Sequence, residues 1–172
     1  MIKITSGIYR GRKITTPGGE THPMGERERI ALFNMIATYL PGAQVLDVFA
    51  GSGALGIEAL SRGASEVVFV EKNRKAGAVI AENLKNLELS DFGMVIIGDI
   101  KNFTADRTFE VILADPPYND FKLDEIEILA KLLNKNGILV LSHPDEAPKI
   151  PKLCLVNTHK YAAARLSVYV KR

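Results

Sequence analysis

One cysteine, no tryptophan and three histidines in 172 residues remove several possibilities before any motif is read. A lone Cys154 excludes an internal disulfide, and within its apolar run it reads as a packed, reduced thiol. His22, His143 and His159 are too scattered to mark a metal site, so surface or loop positions are the plain expectation and no metal is expected. No apolar run is long enough to span a bilayer. The opening residues, Met1-Ile2-Lys3-Ile4-Thr5, lack the long apolar region of a secretion signal, so the expected setting is the cytoplasm with no membrane partner. Internal repeats and low-complexity segments are also missing. What remains is 47% hydrophobic, enough for a sizeable core, and residues 1–172 are expected to form one domain.

The net charge of +2 is unevenly spread. Residues 1–29 hold six Lys/Arg against three acids, 30–146 ten against seventeen, and 147–172 six against none. Basic ends around an acidic middle fit a polyanionic partner, because clustered cations gain affinity by releasing counterions from phosphates. Solvated tails are the equally simple alternative.

The centre of the chain is Val45-Leu46-Asp47-Val48-Phe49-Ala50-Gly51-Ser52-Gly53-Ala54-Leu55-Gly56. A short apolar run reads as a buried parallel strand, and three glycines spaced G-x-G-x-x-G then turn the chain into a helix start. Glycine lets a ligand lie against the main chain, and unpaired N–H groups at the helix start can bind its polar atoms. Two acids sharpen a pattern that is weak alone. Asp47 sits inside the apolar strand, where a carboxylate is costly unless a cation or donor meets it. Glu71 closes the next run, Val67-Val68-Phe69-Val70, about 20 residues past the first glycine, where an acid can hold ribose hydroxyls. The plain alternatives are a helix cap for Asp47 and a solvated strand end for Glu71.

In chain order, short β-rich pieces at Ile2–Thr5 and Arg12–Thr15 flank a glycine-bounded turn. They predict a hairpin carrying Arg10, Arg12 and Lys13 beside Tyr9, a combination suited to single-stranded nucleic acid. From Glu26 to about Tyr39, Ile30, Phe33, Ile36, Ala37 and Leu40 recur at helical spacing, and Pro41-Gly42 ends that helix. Strands then alternate with helices: strands at 45–49, 66–71, 94–98, 111–114 and 138–142, with helices to about Ser61, from about Arg74 to Leu87, and from about Leu123 to Asn134. That rhythm implies a doubly wound, mostly parallel α/β sheet with ligands at the strands' carboxyl ends. Leu153–Asn157 and Leu166–Val170 are joined too closely for a crossover helix, and predict an antiparallel hairpin at the sheet edge.

Asp115-Pro116-Pro117-Tyr118 follows the fourth core strand, on the same edge as the glycine loop. A catalytic account explains all four residues, and a post-strand turn is the plain alternative. Tyr118 offers a face to a flipped-out base. Asp115 and the Pro116 carbonyl offer two acceptors for the two hydrogens of an exocyclic amine, freeing a lone pair otherwise shared with the ring. Proline fixes φ and removes competing donors, so the carbonyl direction is set in advance.

These two motifs, Phe49-Ala50-Gly51-Ser52-Gly53 and Asp115-Pro116-Pro117-Tyr118, resemble those of class I S-adenosylmethionine-dependent methyltransferases that act on exocyclic amines. More narrowly, the chain resembles the bacterial 16S ribosomal RNA guanine-N2 methyltransferase family. GIYRGRKITTPGG matches that family's opening hairpin and ERERIALFNMI its first helix, while VLDVFAGSGALGIEALSRGA, VVFVEKN, ILADPPY, ILVLSH and KYAAARLSVY follow in order. The resemblance implies a Rossmann-like methyltransferase sheet with an N-terminal hairpin extension over residues 1–25 that contacts RNA. It implies that Asp47, Phe49 and the Gly51-Ser52-Gly53 turn hold the methionine part of S-adenosylmethionine, Glu71 the ribose, and Asp99 with Ile100 the adenine, with Ala50 and Lys72 also among the cofactor-binding residues. Asp115 borders both cofactor and target; Pro116, Pro117 and Tyr118 complete the catalytic set. Arg10, Arg12, Lys13, His22 and Arg27 join Tyr118 as substrate-binding residues. The chain departs from the family in reading His22-Pro23-Met24 where Arg-Pro-Thr is usual, and Ala162-Ala163-Ala164 where a glycine is usual.

The implied activity is methylation of a guanine N2 amine in 16S rRNA of the small ribosomal subunit or an assembly intermediate, by a monomer that releases S-adenosylhomocysteine. An adenine-N6 methyltransferase is the near rival, since the same four residues suit either amine; the short chain leaves no room for a separate target-recognition domain. A nicotinamide-dependent oxidoreductase would use the glycine loop but leaves Asp47 and Asp115 to Tyr118 unexplained. A non-catalytic RNA-binding module is the third reading, and the intact motifs weigh against it.

Overall fold

Apolar runs at residues 45–48, 67–70, 111–114 and 138–141 have no polar face except at Asp47, so strands built from them must be covered on both sides. The computed structural model, which describes residues 1–18, 23–120, 122–161 and 164–172, shows that cover. Two short strands, β1 (Ile2–Lys3) and β2 (Lys13–Ile14), pair antiparallel and precede α1 (Glu26–Met35). The core then runs β3 (Gln44–Val48), α2 (Ala54–Ser61), β4 (Glu66–Glu71), α3 (Arg74–Asn86), β5 (Gly93–Ile97), β6 (Phe109–Ala114), α4 (Leu123–Leu132) and β7 (Leu133–His143). It closes with β8 (Leu153–Tyr161) and β9 (Ala164–Lys171).

The seven-stranded sheet has the order β5-β4-β3-β6-β7-β9-β8, parallel from β5 to β7 and antiparallel thereafter. The expected edge hairpin is present, and its second strand, β9, is the one that joins β7. Alternate strand residues feed two separate cores. Val45, Val67, Phe69, Val111, Leu113 and Val140 pack under α1, α2 and α3, and Leu46, Val48, Val70, Ile112 and Leu141 pack under α4. Since β3 pairs with β4 on one side and β6 on the other, the strand order reverses there. A crevice at the carboxyl ends of β3 and β6 follows from that topology.

Two local expectations are corrected. The helix predicted to about Tyr39 ends at Met35 and continues as a tighter 3-10 turn at Ala37–Tyr39. Phe33, Ile36 and Leu40 are buried as expected, but the buried face of α1 also carries Arg29 and Leu32, whereas Ile30 and Ala37 are exposed. Arg29 can point inward because Lys3 O accepts from its Nη2 at 2.7 Å and Glu58 lies 3.7 Å from its Nε, which rotates the helix away from the purely apolar stripe. Likewise α4 stops at Leu132, two residues early, because Leu133 is drawn into the sheet opposite Phe109, where it is buried.

The N-terminal segment is anchored rather than loose. Buried Glu58 on α2 accepts from Thr5 N at 2.8 Å, Ser6 N at 3.0 Å and Arg62 Nε at 2.9 Å, and the Ser61 carbonyl and hydroxyl accept from Ile8 N and Tyr9 N. No helix among the described residues is long and apolar enough to cross a membrane.

Candidate active site

The third glycine of the loop is set by packing: a Cβ on Gly56 would lie 2.2 Å from the Phe69 ring, so α2 can approach the sheet this closely only without a side chain there. Gly53 has φ +78°, a left-handed turn that costs glycine nothing, and starts the helix. Phe49 takes φ +58° without that freedom, the kind of backbone strain that persists where surrounding structure fixes a functional loop. In place of a side-chain cap from its own loop, α2 takes one from the strand beneath, because Asp47 Oδ2 accepts from Gly56 N at 2.9 Å. The cap alternative for Asp47 is therefore realised, and the residue still borders the cleft.

That cleft measures about 650 Å³ and opens at the carboxyl ends of β3, β4, β6 and β7. It brings together Asp47, Phe49, Ala50, Gly51, Ser52, Glu71, Lys72, Asp99, Ile100 and all of Asp115 to Tyr118. Gly53 is not on its wall; it faces Ile80 and Phe69 beneath the loop. Arg10, Arg12, Lys13 and Arg27 are exposed and also lie off the wall, and Arg12 Nη2 donates to Asn86 O at 3.1 Å. His22 lies outside the described residues, as do Ala162 and Ala163.

Glu71 is 9% exposed, not a solvated strand end: its Oε2 accepts from Gly51 N at 2.8 Å and its Oε1 from Asn73 N at 2.8 Å. It thus ties the glycine loop to β4 while keeping lone pairs for a ligand. Asp99 accepts from Lys101 N at 2.9 Å and turns the chain toward the cleft after β5.

Charge at the inner end of the cleft is negative. Burial pushes the Asp47 carboxyl well above its ordinary range against the opposing Gly56 N–H, and the nearby Asp115 and Glu71 carboxylates push it further. Asp115 is pushed up to about 6, mainly by burial, with a hydrogen bond from Ser142 opposing. The Tyr118 hydroxyl is raised as well, first by burial. Cations on the outer wall are already engaged, Lys101 Nζ with Glu125 at 3.1 Å and Lys72 Nζ with Asp120 at 3.8 Å. Asp47 and Asp115, whose ionisation burial opposes, with the Glu71 carboxylate beside them, favour a positively charged ligand group and disfavour a pyrophosphate.

Several contributors were not foreseen. Ser142, buried at the end of β7, hydrogen-bonds the Tyr118 hydroxyl. Asn83 on α3 donates from Nδ2 to Thr15 O at 2.8 Å and Ser52 O at 3.1 Å, and its Oδ1 accepts from Thr15 N at 2.8 Å. It thereby holds the N-terminal segment against the glycine loop, and the next residues, Thr16 and Pro17, become part of the cleft wall with Met24 and Glu28. Ser142 had one readable signal: it is the first polar residue after an apolar strand, as Asp115 is. Asn83 had none, being one polar residue among several on an amphipathic helix.

A seven-stranded sheet in this order, with a glycine loop at the reversal and Asp-Pro-Pro-Tyr on the adjacent strand end, is the class I methyltransferase fold. An Escherichia coli structure named "Putative methyltransferase yhhF" matches with a TM-score of 0.89 at 29% identity, covering 99% of this chain and 97% of that one. The chain belongs to the family described as "Conserved hypothetical protein 95", whose model matches residues 2–170. In Bacillus subtilis (strain 168), the protein named "Putative rRNA methyltransferase YlbH" is 36% identical over 99% of this chain and 100% of its own length. The Haemophilus influenzae "Ribosomal RNA small subunit methyltransferase D" is 33% identical over 87% of this chain and 82% of its own.

Proposed function

We propose that this chain transfers a methyl group from S-adenosylmethionine to the N2 amine of a guanine in 16S rRNA. One observation carries the reading: the glycine loop and Asp115 to Tyr118 share a single cleft whose inner end is lined by Asp47, Glu71 and Asp115. Relatives named for methylation of ribosomal RNA support the substrate class.

The donor set fits the cofactor, because a sulfonium is a cation and three buried or half-buried carboxylates surround the place for it. Bound there, S-adenosylmethionine supplies an activated methyl group on positively charged sulfur. Asp47, Phe49, Ala50 and the Gly51-Ser52 backbone would hold the methionine part, Glu71 and Lys72 the ribose side, and Asp99 with Ile100 the adenine.

On the substrate side, Tyr118 offers its ring as a stacking surface for a base taken out of its stack. Above about pH 6 Asp115 is a carboxylate and accepts one amine hydrogen, while the Pro116 carbonyl accepts the other. Holding both hydrogens out of the ring plane returns the nitrogen lone pair to the amine. The displaced proton leaves to Asp115 or to water, and no covalent enzyme intermediate is required. Arg10, Arg12, Lys13 and Arg27, with the C-terminal lysines, would grip phosphates outside the cleft, making residues 1–25 an RNA-contacting extension of a monomer.

The test is methyl incorporation into unmodified 30S particles, naked 16S RNA and duplex DNA, with products digested to nucleosides. Label in N2-methylguanosine from one of the RNA substrates is the expected result. Label in N6-methyladenosine would reassign the amine, and binding of NADH in preference to S-adenosylmethionine would replace the whole reading.

A further inference from the structure

Strands β6 and β7 run parallel with Ala114 opposite Leu141, which sets Ser142 beside Asp115 at the same height of the sheet. Ser142 is 2% exposed, faces Leu166 of β9 and borders the cleft. Its hydroxyl is hydrogen-bonded to the Tyr118 hydroxyl, and it stands beside the Asp115 side chain, where it favours the carboxylate form against the effect of burial. A serine hydroxyl has one proton to give and a carboxylate can only accept, so a Ser142 that turns its proton to Asp115 takes the Tyr118 O–H on its Oγ.

We infer that Ser142 is a positioning residue for methyl transfer, tying the ring that carries the base to the carboxylate that receives the amine hydrogen. The inference rests on the methyltransferase reading above. It gives the chain of bonds two jobs. One Asp115 oxygen is engaged by Ser142, which leaves the other for the amine. The Tyr118 ring is held by its far end, so its face keeps one orientation in the cleft.

The charged groups at this corner are Asp47 on β3, which faces both Asp115 and Glu71 of β4, and Glu28 on α1, which with Asp115 faces Tyr118. All three are acids that act on this corner with or without Ser142, so removing the serine hydroxyl isolates its own contribution.

The experiment compares Ser142→Ala, Ser142→Thr and Tyr118→Phe in the full chain. Carbon-13 NMR titration of the Asp115 carboxyl should show Ser142→Ala moving the midpoint up by about half a unit to one unit, the size of one hydrogen bond. Tyr118→Phe, which keeps the serine, should leave it near the wild-type value, and Ser142→Thr should restore it. With the RNA substrate identified above, Ser142→Ala should lower kcat about tenfold to a hundredfold for two lost hydrogen bonds. Its acid limb should move to higher pH, with KM for S-adenosylmethionine unchanged. An unmoved midpoint in Ser142→Ala overturns the inference whether or not the wild type methylates anything. A moved midpoint with kcat unchanged overturns the positioning role while sparing the transferase reading. Wild-type inactivity on every nucleic acid defeats the underlying reading instead.

Discussion

Replacing Asp115 by asparagine removes a charge and almost no volume. Burial holds the Asp115 pKa at about 6 rather than 3.8. An acid whose folded pKa exceeds its unfolded value binds its proton more tightly when folded, so folding pays a penalty for ionising it. That penalty is absent below about pH 4, grows as pH rises through 6, and is complete above it. At about 1.4 kcal/mol per unit it reaches about 3 kcal/mol near pH 7.5, with roughly half present at pH 5. A domain of this length gains roughly 2–4 °C of Tm per kcal/mol, and the amide must find partners of its own. Asp115→Asn is therefore expected to raise Tm by about 4–10 °C at pH 7.5 and by about half as much at pH 5. Methyl transfer should be lost, while calorimetric titration shows cofactor binding largely intact. Scanning calorimetry at the two pH values reads the first effect and methyl incorporation the second. A variant less stable than wild type at pH 7.5, or a gain that does not shrink at pH 5, refutes the burial argument; full transfer activity refutes the catalytic role.

Asn83→Ala strands the buried Ser52 carbonyl and unties the half-buried pair of bonds to the Thr15 backbone. A loss of about 1–2 kcal/mol is expected in urea unfolding, together with weaker cofactor binding because the glycine loop loses its tie to the N-terminal segment. Arg10→Ala acts elsewhere. Its side chain is exposed and off the cleft wall, so RNA affinity should fall, with the slope of log affinity against log salt reduced by about one, while S-adenosylmethionine affinity stays put.

The residues readable in advance were those whose neighbours along the chain carried the signal. Asp47 and Asp115 stood out as carboxylates on or beside apolar strands, and Gly51, Gly53 and Gly56 as a loop with fixed spacing. Contacts made by elements distant in sequence were hidden. Ser142 reaches Asp115 only because β7 is the parallel neighbour of β6, and Thr16 enters the cleft only because Asn83 pulls β2 against the loop. Around α1 the apolar pattern found Phe33, Ile36 and Leu40 but misplaced Ile30, since an arginine can fill a buried helix position when Glu58 and the Lys3 carbonyl receive its guanidinium. Gly53 shows the reverse case: its spacing marked it as ligand-facing, but its place is under the loop against Ile80 and Phe69.

The most direct measurement is a crystal structure with S-adenosylhomocysteine bound. The sulfur should lie between the Gly51-Ser52 turn and the Asp115 carboxylate, with Tyr118 across the remaining gap. A ligand seated on another surface, or a sulfur turned away from Asp115 and Tyr118, would contradict the shared cleft on which the mechanism is built.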